Sequence, residues 1–120
     1  MKMKTKIGDH RVMLAKYLKH ASNELKVNIW KDVSKRLLRP LNTHSEVNLK
    51  KIDRISKEGD IVVVPGKVLG YGEVSKALTV SAFGFSASAK EKIISSGGKA
   101  VSYKELIDSK PDYKKVKLVG

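Results

Sequence analysis

Val62-Val63-Val64-Pro65-Gly66-Lys67-Val68-Leu69-Gly70 is the stretch on which the fold turns. Three consecutive valines have the β-branched composition of a fully buried strand. Proline then removes a backbone donor and glycine relaxes φ, so the spacing predicts two short strands, 61–64 and 67–69, divided by a Pro-Gly turn. Gly70-Tyr71-Gly72 is a second turn signal. Little side-chain bulk, with single lysines at Lys67 and Lys76, suits a backbone that meets another backbone. A sugar–phosphate chain is one candidate; two ordinary turns in a small sheet are the other.

Downstream, Leu78, Val80, Ala82, Phe83 and Phe85 alternate as a strand. A helix capped by Ser86 or Ser88 follows and stops at Gly97-Gly98; Ser88 has Glu91 three residues on, as a capping box requires. Residues 99–101 read as a strand. Ser102-Tyr103-Lys104-Glu105 opens a further helix that ends before Pro111, and Val116 and Leu118 mark a last strand.

The first half reads differently. Residues 1–8 form a basic arm ending at Gly8. From Asp9, taken as N-cap, Met13, Leu14, Tyr17, Leu18, Ala21 and Leu25 recur at helical spacing, with Lys16, Lys19, Asn23 and Lys26 opposite. A second helix starts near Asn28 and cannot pass Pro40; Ile29, Trp30, Val33 and Leu37 are its inner stripe. Residues 41–45 are a loop and 47–49 a short strand. Ile52 and Ile55 continue at helical spacing to Gly59, read as a C-cap. The expected fold is a single α/β domain over residues 1–120: an N-terminal helical pair, then an irregular arrangement of short strands and helices.

Charge bounds the function. The chain carries 25 Lys and Arg against 12 Asp and Glu, net +13, with a pI near 10.0. Such an excess repels itself unless an anionic partner absorbs it, and nucleic acid is the commonest such partner. Residues 1–57 hold 15 of these cations and five acids; residues 58–120 hold ten and seven. With no cysteine, disulfides and thiolate metal sites are excluded, which fits a reducing cytoplasm. No apolar leader follows the basic N-terminus, and the longest aliphatic run, 61–64, is far too short to span a bilayer.

The candidate phosphate contacts are therefore cationic. Lys4, Lys6 and Arg11 belong to the arm and the helix after it, and Lys16 and Lys19 to that helix's outer face. Lys31, Lys35 and Arg39 stack at i, i+4 and i+8 with Arg36 beside them. Lys50, Lys51 and Arg54 form a second cluster near His44, and Lys67 and Lys76 flank the glycine turns. Nothing supports catalysis. Thr43-His44-Ser45-Glu46 is sequence adjacency, whereas catalytic partners come from separate elements. His10 and His20 lack a partner at metal-ligand spacing. Gly70-x-Gly72-x-x-Ser75 lacks the last glycine and the following helix of a dinucleotide loop, and Pro65-Gly66-Lys67 lacks phosphate-loop spacing.

Thr43-His44-Ser45-Glu46-Val47-Asn48-Leu49 and the nine residues from Val62 to Gly70 closely resemble the eighteen-e family of large-subunit ribosomal proteins of archaea and eukaryotes. The resemblance extends to Trp30, the helix end at 38–40, Thr79-Val80, Phe85-Ser86, Lys92-Ile93 and Gly97-Gly98, and so covers nearly the whole chain. The Phe-Ser helix start is shared more loosely with the bacterial large-subunit protein fifteen. The resemblance implies a non-enzymatic structural component of the cytoplasmic ribosome without cofactor, metal or membrane. It would sit as a monomer against large-subunit rRNA and neighbouring ribosomal proteins. The alternative is a free-standing basic RNA-binding or chaperone protein.

Overall fold

The computed structural model of the chain describes residues 5–38 and 46–119, with side chains from residue 11 onward. The chain divides between residues 44 and 45 into two compact units.

The first unit is a helical pair, α1 (Thr5–Leu25) and α2 (Ile29–Leu37). The first helix starts ahead of Asp9, so Thr5–Gly8, read from sequence as arm, are helical; adding residues to an existing helix is far easier than nucleating one. Residues 1–4 lie outside the described residues. The buried stripe of α1 is Ala15, Leu18, Ala21 and Ser22, whereas Met13 and Leu25, expected inside, are exposed. Small Ala15 lets α2 come close: buried Ser34 of α2 donates its hydroxyl to the Ala15 carbonyl at 2.7 Å. On α2, Trp30, Val33 and Leu37 are buried as the period predicts. Lys26, at φ 57°, carries the chain through the left-handed region between the helices.

The second unit is a five-stranded, wholly parallel sheet, with strands β1 (Glu46–Asn48), β2 (Ile61–Leu69), β3 (Thr79–Phe85), β4 (Lys99–Val101) and β5 (Val116–Leu118). The central path runs β1-β2-β3-β4, and β5 pairs with the start of β2 while β1 pairs with its end. Three helices connect them: α3 (Leu49–Ile55), α4 (Ala87–Ser95) and α5 (Tyr103–Asp108). Right-handed crossovers put α3 and α4 on one face and α5, which returns across the sheet, on the other. Side-chain alternation agrees, since Val62, Val64, Val80 and Ala82 share one cluster with Ile52, Ala89 and Ile93.

The opening stretch corrects the sequence reading. Residues 61–69 are one strand, not two, and Pro65 and Gly66 are buried within it. Between Val64 and Lys67 the pairing with β3 shifts register, so the Pro-Gly pair is an irregularity in the ladder. That is where a residue without an N–H is tolerated in a central strand. The hydroxyl of buried Tyr103 on α5 donates to the Val64 carbonyl at 2.6 Å. Burial pushes that phenol's pKa far up, so it stays a donor.

Two other local readings change. Gly59 has positive φ but sits in a turn beyond the end of α3, where Asp60 N–H reaches the Lys57 carbonyl at 3.0 Å. Ser86 caps α4, accepting from Ala89 N–H at 3.2 Å, and Ser88 does not. The Ser102–Glu105 capping box of α5 forms as predicted.

Candidate nucleic-acid interface

The connection from β2 to β3 is a parallel crossover without a helix. Such a path needs other anchors, and the neighbouring helices supply them. Lys50 N–H of α3 donates to the Tyr71 carbonyl at 3.0 Å. Lys92 of α4 places its ammonium on the Gly70 and Gly72 carbonyls at 2.9 and 2.8 Å. The Ser75 N–H and hydroxyl both reach the Asp53 carboxylate, at 2.9 and 3.0 Å. Those bonds, the Ser75 N–H above all, hold the Asp53 carboxyl below its ordinary pKa.

The two glycines matter for this reason. A Cβ on Gly70 would lie 2.0 Å from the Ser88 hydroxyl oxygen, and one on Gly72 2.7 Å from Lys50 N. The close approach read from the sequence is real, but the backbone being met is the protein's own.

The cations then separate into two groups. Lys76 donates to the Asp53 carbonyl and faces its carboxylate at 3.7 Å, so its ammonium serves the crossover rather than an open surface. Lys92 and Lys117 are likewise engaged, with Glu73 at 3.3 Å and Asp60 at 2.9 Å. By contrast, Lys16, Lys19, Lys31, Lys35, Lys50, Lys51, Arg54 and Lys67 are exposed and make no ion pair with any described residue. Arg11 and Arg36 are half-buried. Lys6 lies on the first turn of α1, while Lys4, Arg39 and His44 lie outside the described residues.

In the helical pair, Lys16 and Lys19 stand on the solvent side of α1, and Lys31 and Lys35 one turn apart on α2. In the sheet unit, Lys50, Lys51 and Arg54 line an open depression of about 300 Å³ together with Glu46, Val47, Asn48 and Tyr71. The first turn of α3 carries Lys50 and Lys51 and no acid. A helix N-terminus disfavours positive charge, so the fold leaves these cations in a place that an anionic partner would relieve. Lys67 on β2 is in register with Glu46 on the neighbouring strand.

Sequence reasoning assembled the Lys50/Lys51/Arg54 cluster but not Tyr71, which joins it through a contact across the α3–crossover interface. No group of three or more His, Cys, Asp or Glu that could hold a metal occurs among the described residues, and no helix among them is long and apolar enough to cross a membrane.

A parallel α/β sheet unit and a helical pair, each showing solvent a set of cations without an ion-pair partner among the described residues, define a strongly basic protein. The chain belongs to the family of ribosomal proteins that joins 50S-L15 and 50S-L18e with their 60S counterpart, and the match spans residues 27–101, from the turn before α2 to the end of β4. It is a family of structural ribosomal proteins and not an enzyme family. The chain is similar to large ribosomal subunit protein eL18 of Methanococcus maripaludis, at 43% identity over 107 residues, 89% of each chain. The Halobacterium salinarum protein of the same name is 41% identical over 102 residues, 85% of this chain and 87% of its own. That of Sulfurisphaera tokodaii is 39% identical over 117 residues, 98% of each.

Proposed function

We propose that this protein is a structural constituent of the large ribosomal subunit that binds and stabilises folded large-subunit rRNA through its unpaired cations. The observation that carries the reading is their sorting. Lys76, Lys92 and Lys117 are consumed by internal bonds, whereas the helical pair leaves lysines, and the sheet unit lysines and Arg54, open to solvent. Cations set against RNA phosphates release condensed counterions and stabilise the packing of RNA helices. Specificity comes from RNA shape, since the deep A-form major groove hides base edges.

In this reading both units act as one ribosomal protein domain, a monomer in the cytoplasmic ribosome among neighbouring ribosomal proteins. Lys4, Lys6, Arg11, Arg36, Arg39 and His44 add to the contact, and Lys76 supports it from within. A free-standing chaperone has no support in the family relationship.

Charge reversal tests the proposal. The full chain carrying Lys31→Glu and Lys35→Glu, or Lys50→Glu, Lys51→Glu and Arg54→Glu, is expected to melt cooperatively yet bind large-subunit rRNA roughly tenfold or more weakly. Wild-type affinity in both variants would remove these faces from the interface.

A further inference from the structure

Tyr71 is 67% exposed, whereas every other Phe, Tyr and Trp side chain is buried or half-buried. An exposed aromatic on a loop is ordinarily mobile, but this loop is fixed from both sides. The Tyr71 carbonyl is held by Lys50 N–H, and the carbonyls of Gly70 and Gly72 are bridged by the single ammonium of Lys92. Neither glycine has room for a Cβ, and Gly72 sits at φ +98°. The backbone around Tyr71 is thus locked while its ring projects to solvent, in the same depression as Lys50, Lys51 and Arg54.

We propose that Tyr71 is a stacking platform for an unpaired RNA base, with Lys50, Lys51 and Arg54 taking the phosphates that flank that nucleotide. The inference rests on the rRNA-binding reading and deepens it, because cations alone read only a backbone. A preorganised aromatic beside a cationic groove is the arrangement by which proteins grip splayed-out, single-stranded nucleotides. A duplex hides its base faces in the stack and gains nothing from the ring. The protein would therefore mark a bulged or looped nucleotide within the rRNA segment that its cations hold.

The test uses the full chain at low salt with two probes, a hexaadenylate and the same oligomer made abasic at every position, alongside purified large-subunit rRNA. Tyr71→Ala is expected to lose about 5- to 150-fold in affinity for hexaadenylate, the span of one base–aromatic stack. Tyr71→Phe should keep most of the wild-type affinity, and neither change should alter binding to the abasic oligomer. Equal binding of hexaadenylate by wild type and Tyr71→Ala, or an equal loss on the abasic oligomer, overturns the inference. So does loss of a protein neighbour from large subunits while both oligomer affinities stand, which would make Tyr71 a protein contact. Failure of the wild-type chain to bind rRNA at all is the separate result that removes the underlying reading.

Discussion

Tyr103 shows how one side chain holds a fold decision in place. At the register shift around Pro65-Gly66, the Tyr103 hydroxyl donates from α5 to the carbonyl of Val64, the last residue before the shift. A buried carbonyl that loses such a donor costs about 1–3 kcal/mol. Tyr103→Phe is therefore expected to lower stability by about that amount in urea titration, with the slope of the transition unchanged. Loss of the hydroxyl without effect would mean that the bond is not part of the strand's support. At this scale sequence reasoning was partly sufficient: Pro65 announced an interruption of the ladder. Whether that means a turn or a bulge depends on the strands either side, which no local pattern contains.

Among the elements, the best-read ones were those whose signals are local. The Ser102–Glu105 capping box, the stop at Gly97-Gly98, the start of α2 just after Asn28 and the buried stripe from Trp30 to Leu37 are all set within one or two turns of chain. The face of α1 was partly misread: Leu18 and Ala21 are buried as expected, but Met13 and Leu25 give way to Ala15, whose carbonyl meets α2, and to Ser22, which bonds the Val27 carbonyl in the turn. Lys50 and Lys76 are indistinguishable as letters; what separates them is Asp53, which meets Ser75 and Lys76 across a long-range contact. Two aspartates now carry a prediction. The Ser75 N–H holds the Asp53 carboxyl low, and the Lys57 N–H and then Lys117 hold that of Asp60 low. A carboxyl with a folded pKa below its ordinary 3.8 contributes stability that is fully present above that value and lost as pH falls through the folded value. Stability should therefore fall as pH drops below about 4, and Asp53→Asn with Asp60→Asn should flatten that acid limb in pH-dependent melting. An acid limb identical in the double variant would locate the titrating groups elsewhere.

For the whole molecule the governing quantity is charge, and here the sequence told most. Net +13 pointed to a polyanion before any element was placed. Topology was hidden, since a run of short strands does not say that all of them lie parallel. If about 6–10 phosphates are neutralised, affinity for the rRNA segment should fall roughly 10³- to 10⁵-fold between about 50 and 200 mM salt. A filter-binding titration that stays flat across that range would contradict electrostatic binding.

The single flank of β2 shared by β1 and β5 has a consequence for how the protein is made. Those two strands lie far apart in the chain, so the hydrogen-bonding edge from Ile61 to Val63 stays bare until Val116–Leu118 has left the translating machinery. Nascent chains must pass through an interval with a valine-rich β-edge open to any passing strand, which is the geometry that seeds aggregation. Prompt capture of the newborn protein, or rapid release of its last strand, would shorten that interval.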